Sequence, residues 1–428
     1  MSRIVIISAV YPPEPVVSAR LAQDLAGHLL KIGHTITVIC PQPSRPLNAD
    51  YHHHIKAGTP ISKHEDGIKV VRLPSFAFPK SRLLPRLYES WSFGRHVCRY
   101  LTTSMVHKPD VLYVNAWPIL AQAHIMRYAN RYRVPTVLQI MDIYPESLLN
   151  KLPYIFRGVI SYPLKLLDTW IVRKAQSVVV ISESMKRIYA HSRKIPENHL
   201  VVISTWQDEN IFRSAYDRSE ACRRYGIADK PFTFLYLGNI GSVSGVEFLI
   251  RAFHKAAINS TQLLIIGAGS SKEGCIELVK MLAADNIHFI ADPKAENVPI
   301  LQSMADVCLL PMKKDTGMSS IPSKLSAYMF SAKPVLATID DDCDTATVIE
   351  QSKCGWVGET ENIDWLAKKM REVSLLPKNL LVQHGENGRE YAFANFSKSA
   401  GVQRLAEVIL TQLSRLQSIN PKDRLCLL

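Results

Sequence analysis

Residues 3–40 read RIVIISAVYPPEPVVSARLAQDLAGHLLKIGHTITVIC, and this stretch decides the fold. Arg3 to Ser8 is a largely apolar run of strand length and Thr35 to Cys40 is another. Between them Ala19 to Lys31 carries apolar residues at helical spacing, and Gly33-His34 closes the segment. The order is strand, helix, strand. Short β-branched runs recur at Val70–Leu73, Val111–Asn115, Thr136–Ile140 and Val178–Ile181, separated by longer stretches, several of them helical in pattern. Such alternation predicts a parallel sheet with helices on both faces.

A second series begins after the polar, charge-rich passage 207–230. Thr233–Leu237, Gln262–Ile266, Ile287–Ile290, Val307–Leu310 and Pro334–Ala337 again read as buried parallel strands with helices between them. The predicted fold class is α/β, with two doubly wound, Rossmann-like domains facing across a cleft. The expected division is a first domain over 1–207, a linker over 208–230, a second domain over 231–392 and a tail over 416–428. Residues 393–415 have helical periodicity and form a C-terminal helix in this scheme. Doubly wound sheets bind ligands beyond the carboxyl ends of their strands, so the site residues are sought in the loops that follow strands.

Length and composition agree with two globular domains. A chain of 428 residues exceeds the size at which one core keeps growing, and 47% hydrophobic with 21% charged residues is ordinary globular usage. The first apolar run ends in prolines rather than in a small-residue cleavage site, and no stretch approaches the roughly 18 consecutive apolar residues of a membrane span. A cytoplasmic or peripheral protein is expected. The eight cysteines are scattered without a CxxC pair, which predicts reduced thiols. His52, His53, His54 and His64 lie in a polar stretch without the one-face spacing of a helical metal site, so a solvated loop and no metal are expected. The net charge of +13 calls for an anionic partner. No zinc-finger spacing or aromatic-basic repeat is present, so no nucleic acid is expected.

Three segments of the second half carry chemistry. Residues 316–338 read TGMSSIPSKLSAYMFSAKPVLAT, in which Pro322 fits the first turn of a helix. Ser323, Lys324 and Leu325 would then present backbone N–H groups at a helix start, an anion site to which Lys324 adds a charge. The same pattern fits a surface helix with a solvated lysine. Residues 235–253 read LYLGNIGSVSGVEFLIRAF, where Gly238 and Gly241 allow close backbone approach to a ligand and equally fit a tight strand-to-helix connection. Residues 266–272, IGAGSSK, lack a third glycine and a ribose-binding acid, and read as a structural turn near the nucleotide.

In the first half, QIMDIYPES over 139–147 places Asp142 and Glu146 at a strand end, where a carboxylate can hold a sugar hydroxyl, deprotonate an acceptor or simply cap a helix. The opening loop 11–20 follows the first strand in the same way, and Arg20 either reaches a phosphate or is solvated.

Taken in order, PPEP, GHTITVIC, DIYPES, VVVISESMKRIYAHSRKIPENHLVVISTWQDENIF, LGNIGSVSGVEFLI, ADVCLLPMKK and PSKLSAYMFSAKPV resemble glycosyltransferase family 4 along nearly the whole chain. The branch most similar is the one that builds bacterial capsule and O-antigen, including enzymes like L-fucosaminyltransferases. The resemblance implies a GT-B fold, a metal-independent retaining transfer without a cofactor, and a nucleotide diphosphosugar donor, a UDP-sugar. It also implies that residues 393–415 cross back to the first domain. Ser323, Lys324 and Leu325 would hold the diphosphate, Gly238, Asn239, Gly241 and Ser242 would lie beside it, and Lys313 and Lys314 would add charge. Asp142 and Glu146 would face the reacting sugar, with Pro13, Glu14 and Arg20 on the acceptor side. The implied partners are a glycan acceptor linked to polyprenyl diphosphate and the anionic inner face of the cell membrane.

The sequence departs from the family at several positions. Ser319 and Ala327 stand at the two glutamates of the E-x7-E motif, Asn239 and Ser244 at the usual basic pair, Met141 at a common histidine, and Val16 and Val17 at paired glycines. An alternative reading is therefore a catalytically impaired scaffold that binds sugar nucleotide in the same pathway.

Overall fold

The computed structural model describes residues 1–44, 61–74, 83–116, 119–146, 154–214, 216–229, 231–242, 244–291, 294–314 and 321–417. His52 to His54, Ser147, Ser319 and Cys426 lie outside them. The chain divides into two units, Met1–Thr205 together with the segment from Gly401 onward, and Trp206–Ala400.

The first unit contains β1 (Arg3–Ser8), β2 (Thr35–Pro41), β3 (Ile61–Glu65), β4 (Ile68–Leu73), β5 (Val111–Asn115), β6 (Thr136–Ile140), β7 (Ser177–Val180) and β8 (Leu200–Val202). Their order across the sheet is β3-β4-β2-β1-β5-β6-β7-β8, and every pairing is parallel except that of β3 with β4. β1 is central, which explains why Ile4, Val5, Ile6 and Ile7 are all buried: each face of the strand is covered. The helix Val17–Lys31 buries Ala19, Leu21, Ala22, Leu25, Ala26 and Leu29 on one face.

The second unit contains β9 (Phe232–Leu237), β10 (Thr261–Ile266), β11 (Ile287–Ile290), β12 (Val307–Pro311), β13 (Val335–Thr338) and β14 (Gly355–Gly358). The order β11-β10-β9-β12-β13-β14 is parallel throughout. The direction of winding reverses between β1 and β5 in the first sheet and between β9 and β12 in the second, and these are the points where such sheets bind ligands.

Two expectations on organisation change. The passage 208–230 is not a free linker: it carries a short 3₁₀ turn, Glu209–Phe212, and the helix Arg218–Tyr225, and it groups with the second unit. Its apolar residues are the reason, since Phe212 stacks on Phe330 at 5.3 Å and Ala221 and Cys222 are buried. Residues 393–415 span two helices, Lys378–Asn395 and Lys398–Gln417. Glu209 accepts from the amides of Lys398 (2.8 Å) and Ser399 (3.3 Å), so a distant carboxylate satisfies the start of the last helix. From Gly401 that helix groups with the first unit, and Val402, Leu405, Ala406, Ile409 and Leu413 are buried.

Candidate functional site

At the carboxyl end of the second sheet two glycine turns lie backbone to backbone. The Gly238 N–H donates to the Ile266 carbonyl (2.9 Å), Ile240 N–H to Ala268 (2.8 Å) and Ser271 N–H to Ile240 (2.9 Å). A Cβ on Gly267 would stand 2.0 Å from the Gly238 oxygen, and one on Gly269 would stand 2.3 Å from the Ile240 oxygen. The IGAGSSK turn therefore needs glycine in order to buttress the loop after β9.

The helix Ser323–Phe330 is clamped onto the same strand end. Its Tyr328 hydroxyl accepts from the Leu237 N–H at 3.0 Å and donates to the Leu237 carbonyl at 3.3 Å. Lys324 Nζ donates to the Tyr236 hydroxyl at 2.6 Å and sits 4.5 Å from the centre of that ring. Its alkyl chain runs past Gly238, where a Cβ would come within 2.2 Å of Lys324 Cε, so the missing side chain makes the slot. Burial lowers the ammonium to about 8, and no described carboxylate pairs with it. A cation at a helix start, partly removed from water and without a counter-charge among the described residues, is arranged for an anionic ligand.

The other expected donor residues fall into two groups. Ser323, the first residue of its helix, is exposed, as are Asn239, Ser242, Lys313 and Lys314 on loops at this end of the sheet, and Gly241 is partly so. Leu325 is corrected. Its side chain is fully buried and its N–H donates to the Pro322 carbonyl at 3.0 Å, so it offers neither group to a ligand. Tyr236 and Tyr328 were not singled out from sequence, because an aromatic inside an apolar strand or helix reads as core.

At the carboxyl ends of β1, β5 and β6 the first unit has a cavity of about 180 Å³, whose polar lining includes Asn115, Gln122, Gln139, Asp142, Asp168 and Tyr189. Asp142 is exposed at this cavity. Asn115 Nδ2 is buried there with no partner among the described residues, and Gln139 accepts from the Tyr113 hydroxyl.

Beside the cavity lies an ion cluster. Arg193, fully buried, donates to both oxygens of Glu146 (2.7 and 2.6 Å), to the Tyr144 carbonyl and, through Nε, to Asp168 (3.0 Å). Two carboxylates share one guanidinium. Burial pushes Asp168 up to about 7 despite Arg193, whereas the more open Glu146, gripped by both guanidinium ends, is held below its usual value. Glu146 is thus corrected from a proton-exchanging group to an anchor: the bidentate pair keeps it ionised and turned toward Arg193.

The acceptor-side expectations also shift. Glu14 is buried, its Oε1 accepts from the Ser44 N–H at 3.0 Å, and it ties down the opening turn while burial raises its pKa. Arg72 holds the same turn through the Pro12 carbonyl at 2.6 Å. Pro13 and Arg20 are exposed, and the cavity is lined instead by Val16 and Ser18.

A second cavity, of about 400 Å³, opens at the amino ends of β12 and β13 and is lined by Arg218 and Lys333 among others. Both cations have protein partners. Arg218 bonds Asp306 (2.7 Å) and Asp229 (2.9 Å), and Lys333 bonds the carbonyls of Ser303 (3.1 Å) and Ala305 (2.8 Å).

Comparison with known proteins places this geometry. Residues 18–211 match Glycosyltransferase Family 4, and residues 217–391 match the Glycosyl transferases group 1. An Escherichia coli protein named as a colanic acid biosynthesis glycosyl transferase, WcaI, is 24% identical over 408 residues, 92% of this chain and 97% of its own length. The Pseudomonas aeruginosa glycosyltransferase WbjE is 24% identical over 365 residues, covering 79% of this chain and 84% of that one. The crystal structure of Anabaena HepE in complex with UDP-glucose superposes with a TM-score of 0.63 at 15% identity, over 96% of this chain and all of the other.

Proposed function

This chain is a glycosyltransferase of the GT-B fold, and we propose that it moves a sugar from a UDP-linked donor to a glycan acceptor in bacterial surface polysaccharide synthesis. The single observation that carries the donor side is Lys324, a partly buried cation at a helix start with no carboxylate partner among the described residues. In this reading the Ser323 and Lys324 amides and the Lys324 ammonium take the diphosphate. Gly238, Asn239, Gly241 and Ser242 border the sugar, and Lys313 and Lys314 add long-range attraction. Asp142, with Asn115 and Gln139 beside it, receives the acceptor hydroxyl in the first unit. The relative named for colanic acid biosynthesis and the UDP-glucose held by HepE support this choice of substrates. The finer proposals are hexosyl transfer with retention of configuration, an acceptor carried on polyprenyl diphosphate, and membership of the capsule and O-antigen branch.

A panel of sugar nucleotides tested by thermal shift identifies the donor. A ligand at a hundredfold its Kd stabilises the folded state by about 2.7 kcal/mol, a shift easily read. UDP-sugars are expected to raise the melting temperature and CDP- or CMP-sugars to leave it unchanged. A panel in which no nucleotide sugar acts would count against the donor site, and binding without transfer to any lipid-linked glycan would make the protein a scaffold.

Attachment to an anionic membrane is proposed for the first unit, at the inner face of the cell membrane. Among the described residues no helix is long and apolar enough to cross a bilayer. Leu84, Tyr88, Tyr162 and Leu166 are 75%, 43%, 70% and 54% exposed on the helices Leu83–Thr103 and Tyr154–Lys174, close in sequence to Arg86, Arg95, Lys165 and Arg173. Two of these basic residues also have partners within the chain: Arg86 pairs with Glu89 at 3.0 Å and Arg95 stacks on Trp91 at 4.9 Å. Phe76, Phe78, Lys80, Arg82 and Lys151 lie outside the described residues. Each basic residue near an anionic surface contributes about 1 kcal/mol. Co-sedimentation with anionic vesicles is expected, weakening severalfold in Tyr162→Ser/Leu166→Ser and in high salt. Equal binding to neutral vesicles would overturn this.

A further inference from the structure

We propose that Arg193 is a positioning residue for transfer: it fixes the segment from Asp142 to Glu146 so that Asp142 is presented at the first unit's cavity. The inference rests on the reading of Asp142 given above. Arg193 follows the helix Glu183–Ser192, on the far side of β7 in sequence, and its side chain is fully buried. Four of its hydrogen bonds reach three residues in other segments at once. Two bonds grip the Glu146 carboxylate and one takes the Tyr144 carbonyl, both in the turn that carries Asp142. Its Nε takes Asp168, on the helix Tyr154–Lys174. The Tyr189 ring lies 5.0 Å below the guanidinium and leaves that planar group one orientation.

Among the described residues, the turn after β6 is held through Tyr144 and Glu146. β6 ends at Ile140 and Asp142 is exposed, so what fixes its direction is the attachment of Tyr144 and Glu146 a few residues later. A planar fork that meets a carboxylate through two parallel bonds sets both distance and angle, which a lysine in the same place cannot do. Arg193 makes no hydrogen bond to Asp142 itself, nor to Pro13, Glu14 or Arg20. It acts through Asp142 or not at all.

The test uses the full chain with Arg193→Lys, which keeps the buried positive charge, and Asp142→Asn, each alone and together. Turnover, acceptor KM, donor affinity and amide hydrogen exchange are measured on all three. Arg193→Lys is expected to lower kcat at least tenfold with donor affinity within twofold, and to speed exchange across 142–146 more than across β6. Asp142→Asn is expected to lose at least tenfold as well, and Arg193→Lys in that background to add less than twofold. Losses that multiply, or an Arg193→Lys protein with full kcat, would overturn the proposal. So would unchanged exchange across 142–146. Should Arg193→Lys fail to fold, the triple variant Arg193→Met/Glu146→Gln/Asp168→Asn removes all three charges together and leaves no buried ion unpaired. It is expected to fold with the same loss of kcat, and full activity in it would overturn the proposal. A wild-type chain that transfers from no donor defeats the functional reading instead, and the exchange measurement then still decides whether Arg193 fixes the turn.

Discussion

Replacing Lys324 by methionine is expected to weaken donor binding roughly tenfold to a hundredfold while leaving the melting temperature unchanged or raised. The affinity term is that of one charge-assisted hydrogen bond, about 1.5 to 3 kcal/mol. The stability term has the opposite sign. Burial holds the Lys324 ammonium at about 8, below its ordinary value of 10.5, so the folded chain binds this proton less tightly than the unfolded chain does. Its cost to folding is fully present below about 8, fades as pH rises, and is gone above the unfolded value. Methionine keeps the alkyl contact along Gly238 and removes the cost. The same shift gives a pH signature. Donor affinity of the wild type should decline as pH passes from about 7 to 9, where the diphosphate charge is constant, and the decline should vanish in Lys324→Met. Isothermal titration across that range checks it. A protein that melts earlier with unchanged donor affinity would make Lys324 a structural residue.

Gly267→Ala is expected to cost about 3 kcal/mol of stability, from a methyl group forced into a packed site and a side chain placed at positive φ. The backbone there has φ of +144° and the new Cβ would stand 2.0 Å from the Gly238 oxygen. Relief requires the turn after β9 to move, and with it the slot that Lys324 occupies, so donor affinity should fall alongside stability. Gly274→Ala is the control. That glycine lies inside the helix Lys272–Met281 with nothing within 4 Å of an added Cβ, and alanine there should stabilise by roughly 0.5 to 1 kcal/mol. Chemical denaturation of both variants gives the comparison, and equal stability in the two would refute the account of the glycine turns.

The strands that run through the middle of each sheet were legible because they are buried on both faces. RIVIIS and TQLLII read as unbroken apolar runs for that reason. β3, ISKHE, was missed since it is an antiparallel edge whose central residues face water. β8 is three residues long, and β14, GWVG, begins and ends in glycine, so neither leaves a pattern of its own. At the site, Lys324 and the glycines were found because helix starts and close backbone approaches restrict residue type locally. Glu146 and Glu14 were misjudged because position after a strand says nothing about what a carboxylate meets. Their partners, Arg193 and Ser44, are 47 and 30 residues away. The hydroxyls of Tyr236 and Tyr328 escaped notice for the same reason.

The helix Lys398–Gln417 sets the order in which the two units become complete during synthesis. The second unit is one uninterrupted segment, Trp206–Ala400, and has all its residues once Ala400 has left the ribosome. The first unit begins earlier and finishes later. Its eight strands have emerged by Val202, yet Val402, Leu405, Ala406 and Ile409 arrive only after the whole second unit has been made. During that interval the nascent first unit lacks those apolar side chains, and the surface they finally cover is open to chaperones or to aggregation. A premature stop shortly after Ala400 would therefore damage the unit whose strands are encoded farthest from the lesion.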